Sequence, residues 1–222
     1  MSYNFRFNAL WPYADEIVEG VLLTLQLTVV TMLIGLVIGL FVALGSTSTL
    51  KAVRAPVRAY VEAIRNTPLL VQLFIVFFGL PSLGIRLDAN TAAMIALSIN
   101  VGAYCGEIFR AGFESIRTSQ VEAGRALGLT AGQTFRHVVL FPAVKAIYPA
   151  LTSQFVLLLL ATSVVSSIGA TELFHQAAFI ESRTYRSFES YTLITGAYLV
   201  MTLAFRAFFA GLYWAVFVRR PA

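Results

Sequence analysis

The sequence predicts an all-α integral membrane protein of five transmembrane helices, with the N-terminus outside and the C-terminus cytoplasmic. Composition is the first observation behind this prediction. Hydrophobic residues make up 58% of the 222 and charged residues 12%, with a mean hydropathy of +0.78, outside the usual range of soluble domains. The other two observations are several long apolar runs and an excess of basic residues in alternate connections between them. That excess accounts for the pI of about 9.6, so we expect no nucleic acid partner.

We expect a single transmembrane domain over residues 1–222. Residues 1–19 mix aromatic and acidic side chains, which is typical of a short interfacial helix with its rings at headgroup level. The first span follows at about Val21–Leu44, long enough to cross a ~30 Å hydrocarbon core. Gly35 and Gly39 within it predict a site of close helix packing.

The second apolar run is too short to cross the membrane alone. Leu69–Leu80 gives ~18 Å of helix, so the span must begin upstream and break or kink near Pro68. Such a break is tolerated where it faces protein or water. The remaining spans are expected at about Thr91–Ile108, Pro149–Gly169 and Tyr191–Val218.

The distribution of basic residues predicts the orientation. One set of connections holds Lys51, Arg54, Arg58, Arg65, Arg110, Arg117, Arg125, Arg136, Lys145, Arg219 and Arg220. The opposite set holds only Arg6, Arg86, Arg183 and Arg186. Because cytoplasmic loops carry the basic excess, the first set is expected in the cytoplasm. An odd number of spans then leaves the N-terminus outside.

The polar segment 107–142 is too long for a turn between spans, and it predicts a helix, a break and a second helix. Gly128 follows good helix formers and can take a positive φ at little cost. Thr130 and Gln133 have the spacing of a capping box. The second helix, about Ala131–Phe141, is expected to end at Pro142.

The second helix of this coupling loop (107–142) has an apolar stripe. Phe135, Val138 and Val139 share one face by their i, i+3, i+4 spacing. The polar residues that lie off the stripe are Gln133, Arg136 and His137. A short amphipathic helix outside the bilayer indicates a docking element, although a loop that merely covers its own helix ends would show the same pattern.

The residues Glu122-Ala123-Gly124, Gly128, Val138 and Leu140 resemble the EAA loop of bacterial ABC importer permeases. In that family the short helix after the glycine fits a cleft on a separate ATPase subunit. The resemblance thus implies ATPase docking by Glu122, Ala123, Gly124, Gly128, Phe135, Arg136, Val138 and Val139. The chain departs from the pattern at Gly124, where a third alanine is usual, and at Pro142, which comes one residue late.

Two further stretches resemble the polar amino acid subgroup of these permeases. Arg65–Phe74 is similar to its second-helix signature, and Tyr104, Glu107 and Arg110 match the pattern AYxxEIxR. The segment Ala170–Ser190 resembles its external loop. The resemblance implies a multi-pass protein of the bacterial cytoplasmic (inner) membrane. Its implied partners are a pair of ATPase subunits, a second permease chain and an extracytoplasmic amino-acid-binding protein, and its implied mechanism is alternating access.

A zwitterionic substrate needs polar groups at membrane depth. The candidates for the substrate path are Gln72, Asn100, Gln154, Thr162, Ser163, Ser166 and Ser167. Each of them could instead join helices. The subgroup often has Lys-Asp-Thr-Ser where this chain has Leu160–Ser163, so both charges are lost. We therefore expect a heterodimer whose other permease keeps the charges, with a homodimer as the alternative.

Several functions are disfavoured by what the sequence lacks. No G-x-x-x-x-G-K-[ST] motif occurs, so the chain is not expected to be an enzyme, and ATP and Mg²⁺ are expected on the partner ATPase. Cys105 is the only cysteine, and His137 and His175 are expected on opposite membrane sides, so we expect no catalytic or metal site. A non-transporting scaffold or passive channel that uses the loop to bind a partner is the competing hypothesis. Arg206, inside the fifth span, is open to a structural pair, a substrate contact or snorkelling.

Overall fold

A computed structural model describes residues 4–219, in which the regular elements are helical and no strand occurs. In chain order the α-helices are α1 (Ala14–Ser46), α2 (Lys51–Arg65), α3 (Leu69–Phe74), α4 (Ala89–Glu114), α5 (Thr118–Ala126), α6 (Ala131–Gln133), α7 (Phe141–Ala161), α8 (Leu173–Thr184) and α9 (Ser187–Tyr213). The 3₁₀ segments are Phe7–Tyr13, Leu80–Leu83 and Thr162–Ile168. The π-helical segments are Ile75–Gly79, Thr134–Leu140 and Trp214–Val218.

Membrane-length helices account for most of the described chain. The runs that are long and apolar enough to cross a membrane are Phe7–Ser46, Ala89–Glu114, Ala131–Ile168 and Ser187–Val218. A further candidate is the pair Lys51–Arg65 and Leu69–Leu83, which is bent by 109°. The break predicted near Pro68 is therefore confirmed. Pro68 has extended backbone angles (φ −63°, ψ 139°), because a proline cannot continue the hydrogen-bond ladder of the preceding helix.

Glycines bring α1 and α4 into close contact. A Cβ added at Gly35 would lie 2.6 Å from Val101 Cγ1, and one added at Gly39 would lie 2.6 Å from Cys105 Cβ. These distances are too short for any side chain, so the close packing predicted for the two glycines is confirmed. The buried core beside this contact includes Leu27, Leu73, Leu97, Val101 and Leu158.

The N-terminal segment differs from the predicted interfacial helix. A 3₁₀ helix covers Phe7–Tyr13 only, and residues 14–19 form the first turns of α1. The segment is tied to the start of α9, since the Arg6 backbone N–H donates to Glu189 Oε1 at 2.9 Å. Trp11 is 76% exposed, as a headgroup-level ring would be. Residues 1–3, with Tyr3, and residues 220–222, with Arg220, lie outside the described part.

The expectation that Pro142 ends the docking helix is wrong. Ala131–Ile168 is one uninterrupted helical run of 38 residues, and Pro142 lies at the start of its α7 portion. The π-helical segment Thr134–Leu140 explains how the proline is tolerated. A proline ring normally collides with the carbonyl four residues earlier. The π segment includes that residue, Val138, and its wider turns change the spacing of the carbonyls.

Candidate functional site: the coupling loop and the polar groups between the spans

Local chemistry fixes the break between α5 and α6 in the coupling loop. Gly128 has a φ of +80° and donates its N–H to the Arg125 carbonyl at 2.9 Å. The Leu129 N–H donates to the Gly124 carbonyl at 3.1 Å, which completes a Schellman motif. Thr130 Oγ1 then accepts from the Gln133 N–H at 3.3 Å, and Gln133 Oε1 accepts from the Thr130 N–H at 2.9 Å. The predicted helix end and capping box are confirmed.

Gly124 allows α5 to pack against the π-helical segment. It is buried, and an added Cβ would lie 3.2 Å from Val138 Cγ2. The alanine that is usual at this position would therefore require a small shift of the valine. Val138 and Val139 are half-buried while Phe135 is 51% exposed, so the predicted stripe does not present all three side chains equally.

An apolar surface remains on the coupling loop. Leu127 is 82% exposed and lies beside the break, whereas Glu122, Ala123 and Arg136 provide exposed neighbours of mixed polarity. The helical run that begins at Ala131 is about 57 Å long, against a hydrocarbon core of ~30 Å. The run is therefore longer than the hydrocarbon core is thick, and Phe135 lies in its first turns.

Gln72 and Asn100 come together at the break in the second span. Gln72 Nε2 donates to the Ile64 carbonyl at 2.7 Å and to the Thr67 carbonyl at 3.0 Å. Its Oε1 accepts from Asn100 Nδ2 at 3.0 Å. The glutamine thus satisfies carbonyls that the break releases from the helical ladder. Both side chains hold the bend in place, and their role in a substrate path stays a prediction.

The hydroxyl candidates of the fourth span lie in the 3₁₀ segment Thr162–Ile168. Each hydroxyl donates to the backbone carbonyl three residues earlier, at 2.7 or 2.8 Å, in Thr162, Ser163, Ser166 and Ser167. Thr162 is fully buried, while Ser167 is exposed. The sequence predicted α-helix here, and these local hydrogen bonds offer the carbonyls the partners that the α-helical pattern would otherwise supply.

Gln154 lies apart from the other candidates. It lines a cavity of about 470 Å³ between α2, α4 and α7, together with Arg65, Tyr104, Glu107 and Arg110. Glu107 accepts two hydrogen bonds from Arg110, at 3.0 Å from Nε and 2.8 Å from Nη2. Arg110 also pairs with Glu114 at 2.6 Å, so the three residues form an ion-pair ladder along one face of α4.

Glu172 is a buried carboxylate that the sequence reasoning missed. It caps α8 by accepting from the Phe174 and His175 N–H groups, each at 2.9 Å, and it accepts the Tyr198 hydroxyl at 2.6 Å. Burial raises the pKa of Glu172, an effect that its hydrogen bonds partly oppose. The available signal was a lone carboxylate directly before the apolar pair Leu173-Phe174.

Arg206 lies on an exposed face of α9. Within residues 4–219 it has neither an ion pair nor a hydrogen bond, so the pair considered for it is not formed there. Over the same residues, no group of three or more His, Cys, Asp or Glu side chains could hold a metal ion.

Comparisons with known proteins agree with this geometry. Residues 35–218 match the family described as binding-protein-dependent transport system inner membrane component. The L-cystine transport system permease protein of Bacillus subtilis is 39% identical over 173 residues, 78% of this chain and 73% of the relative. The glutamine transport system permease protein of Escherichia coli K12 is 35% identical over 201 residues, which are 90% and 92% of the two chains.

Solved structures give the same result. A crystal structure of an amino acid ABC transporter with histidines superimposes with a TM-score of 0.89 at 39% identity, covering 96% of this chain and all of the other. The inward-facing MetNI methionine ABC transporter has a TM-score of 0.74 at 23% identity, over 92% and 98% of the chains, which shows the fold alone. The resemblance found in the sequence is confirmed, and the chain belongs to the family of binding-protein-dependent transport system inner membrane components.

Proposed function

We propose that this chain is a transmembrane subunit of an ATP-driven importer for polar amino acids and forms half of the translocation pathway. The observation that carries the proposal is the coupling loop, whose capped break presents exposed apolar side chains on a helix continuous with a span. The relatives support the substrate class, because the two described above are named for L-cystine and glutamine. The arginine transport system permease protein of Bacillus subtilis is also similar, at 36% identity over 201 residues.

The coupling loop is proposed to dock an ATPase subunit. Phe135 and Leu127 offer exposed apolar area of the kind that marks protein interaction sites. The docking set remains Glu122, Ala123, Gly124, Gly128, Phe135, Arg136, Val138 and Val139. ATP and Mg²⁺ bind the ATPase pair, and closure of that pair moves the docked helix. Because this helix continues into the fourth span, the motion reaches the pathway directly, and the two states differ in their contacts as coupling requires.

The orientation that fits this role has the N-terminus outside and five spans, counting the bent pair α2–α3 as one. The coupling loop then faces the cytoplasm, where ATP is found. The basic connections support this orientation, as do the bend at Pro68 and the membrane-length helices. The membrane is the bacterial cytoplasmic membrane.

Two further partners complete the importer. An extracytoplasmic binding protein delivers the amino acid, in keeping with the family description. A second, non-identical permease chain forms the other half of the pathway, because this chain has Leu160 and Ala161 where related permeases often carry charges. Leu160 is 45% exposed within this chain, so its side chain is available to a neighbouring subunit.

ATP-dependent uptake tests the proposal. The chain is co-purified with its neighbours, identified by intact mass, and reconstituted in vesicles with binding protein outside and ATP inside. We expect uptake of at least one amino acid among L-cystine, L-glutamine and L-arginine. Uptake that does not depend on ATP would favour the passive channel, and a lack of uptake of all the amino acids would favour the scaffold. A fully active complex with two copies of this chain and no second permease would contradict the heterodimer.

A further inference from the structure

We propose that the cavity between α2, α4 and α7, here called the α2–α4–α7 cavity, binds the zwitterionic backbone of the transported amino acid as it leaves towards the cytoplasm. In this site Arg65 binds the α-carboxylate and Glu107 the α-ammonium. The inference rests on the proposed function and adds a site to it. The cavity measures about 470 Å³ and joins the second, third and fourth spans.

Its position fits an exit step. The cavity is lined by the last turn of α2, by the end of α4 that leads into the coupling loop, and by the part of α7 from Ala146 to Gln154. These are the parts that the basic connections place nearest the cytoplasm. The wall includes small residues as well, Gly112 and Ala150 among them, which leave the charged groups accessible.

Arg65 is held in place, but its guanidinium keeps N–H groups that have no hydrogen-bond acceptor among residues 4–219. Its guanidinium carbon lies over the Tyr104 ring, 5.4 Å from the ring centroid, which is within the range of a cation–π contact. Its contact with Glu107 is long, at 3.4 Å, and its side chain is 42% exposed. The planar fork therefore keeps N–H groups free for a carboxylate, the geometry that arginine binds best.

Glu107 provides the opposite charge, on a carboxylate whose position is fixed by Arg110. Arg110 holds both of its oxygens by a bidentate pair, so the carboxylate stays ordered when Arg65 turns to another anion. The α-ammonium of an incoming amino acid binds Glu107 and replaces its long contact with Arg65. The α-carboxylate of the same ligand then binds the guanidinium of Arg65. Charge in the cavity is unchanged by this exchange, because the ligand brings one charge of each sign.

Gln154 supplies a neutral polar group at the same cavity. Within residues 4–219 its amide has no hydrogen-bond partner, unlike that of Gln72, which is saturated at the bend. An amide can donate and accept at once. Gln154 thus contributes to affinity for an amino acid without distinguishing its carboxylate from a neutral group.

A comparison of two ligands, bound by the wild-type and variant forms of the complete transporter complex, tests these roles. Vesicle uptake first identifies which of L-cystine, L-glutamine and L-arginine is imported fastest. Calorimetry on the nucleotide-free complex, without binding protein, then compares this amino acid with its α-carboxamide, which lacks the anionic group. Wild type should prefer the amino acid, and Arg65→Gln should reduce that preference roughly tenfold to a hundredfold.

Two variants separate binding from structure. Gln154→Leu should weaken the binding of both ligands several-fold and keep the preference, and it removes no hydrogen bond formed among residues 4–219. Glu114→Gln is the matched control, because Glu114 pairs with Arg110 yet does not line the cavity, and it should bind both ligands as wild type does.

The outcomes are distinct. An unchanged preference in Arg65→Gln, or an equal loss of both ligands, overturns the site even if uptake by the wild type is normal. Wild-type binding by Gln154→Leu removes that residue from the site. Absence of ATP-dependent uptake by the wild-type complex overturns the proposed function itself, and the inferred site with it.

Discussion

Gly128 and Gly132 lie four positions apart in the coupling loop and differ in one respect. A Cβ added at either would meet no atom within 4 Å, but only Gly128 has a positive φ, +80°. Any difference between equivalent substitutions therefore reports backbone conformation rather than crowding. A β-branched residue is especially unfavourable in the left-handed region.

Gly128→Val is expected to abolish or strongly reduce ATP-driven uptake while the chain still inserts in the membrane. The cost of the left-handed conformation, of the order of 1–3 kcal/mol, would shift the loop away from its capped break. Uptake in vesicles and ATPase co-purification are the measurements, with Gly132→Val as the control. Normal transport by Gly128→Val with the ATPase bound would rule out the break as the coupling device.

Glu172 is expected to make stability depend on pH. Because burial raises its folded-state pKa, the folded protein keeps the proton at pH values where the unfolded chain has lost it. Its stabilising contribution is full below the unfolded pKa of about 4.3 and is lost as the pH rises through the folded pKa. Thermal unfolding in detergent should show this decline, and Glu172→Gln should flatten it.

Asp88 provides the contrast. It is exposed at the start of α4, and hydrogen bonds from Thr91 lower its pKa. Its contribution is therefore present above the unfolded pKa and lost as the pH falls through the folded one. Asp88→Asn should leave the decline at higher pH intact. If Glu172→Gln also leaves it intact, the decline belongs to another group.

Local signals could be predicted from the sequence where neighbouring residues alone determine the geometry. The αL glycine and the capping box at Thr130 are of this kind, as is the bend at Pro68. The roles of Gln72 and Glu172 could not, because they depend on which distant groups face each side chain. Gln72 is polar in an apolar run, and nothing in that pattern says that the carbonyls released at the bend will occupy its amide.

At the scale of elements, the contact between α1 and α4 has no room for a side chain at Gly35 or Gly39. Gly39→Leu should destabilise the protein by about 1–3 kcal/mol or more, because the added atoms would collide with Cys105. Thermal unfolding in detergent measures the loss. Gly196→Leu on α9 is the control, since an added Cβ there meets nothing within 4 Å. Equal stability of the two variants would contradict the close packing.

The hydrogen bonds of Gln72, which join α3 to α4 and to the end of α2, lead to a second prediction. Gln72→Leu leaves the carbonyls of Ile64 and Thr67 without their donor, which should cost about 1–3 kcal/mol. Asn100→Ala should cost less, because it removes only one bond to the glutamine. Unfolding of the purified variants gives the comparison. If Gln72→Leu is as stable as wild type but loses substrate binding, Gln72 belongs to the substrate path.

At the scale of the whole molecule, Cys105 makes the orientation testable. It is the only cysteine and is buried, so a Cys105→Ala background allows single exposed cysteines to be introduced. Leu127→Cys should be protected from a membrane-impermeant maleimide in intact cells, and Tyr185→Cys should react. Both side chains are more than four-fifths exposed, at 82% and 88%. The reverse pattern would contradict the orientation inferred from basic residues.

The π-helical segment Thr134–Leu140 affects how the loop sequence can change in length between related chains. One extra residue in an α-helix turns everything after it by about 100°, so an insertion at Phe141 would rotate the whole fourth span relative to its neighbours. A π turn absorbs one residue within the helix. The late position of Pro142 is thus equivalent to a one-residue insertion whose effect on rotational register ends within the π-helical segment. The loop sequence can therefore change in length while the fourth span keeps its facing residues.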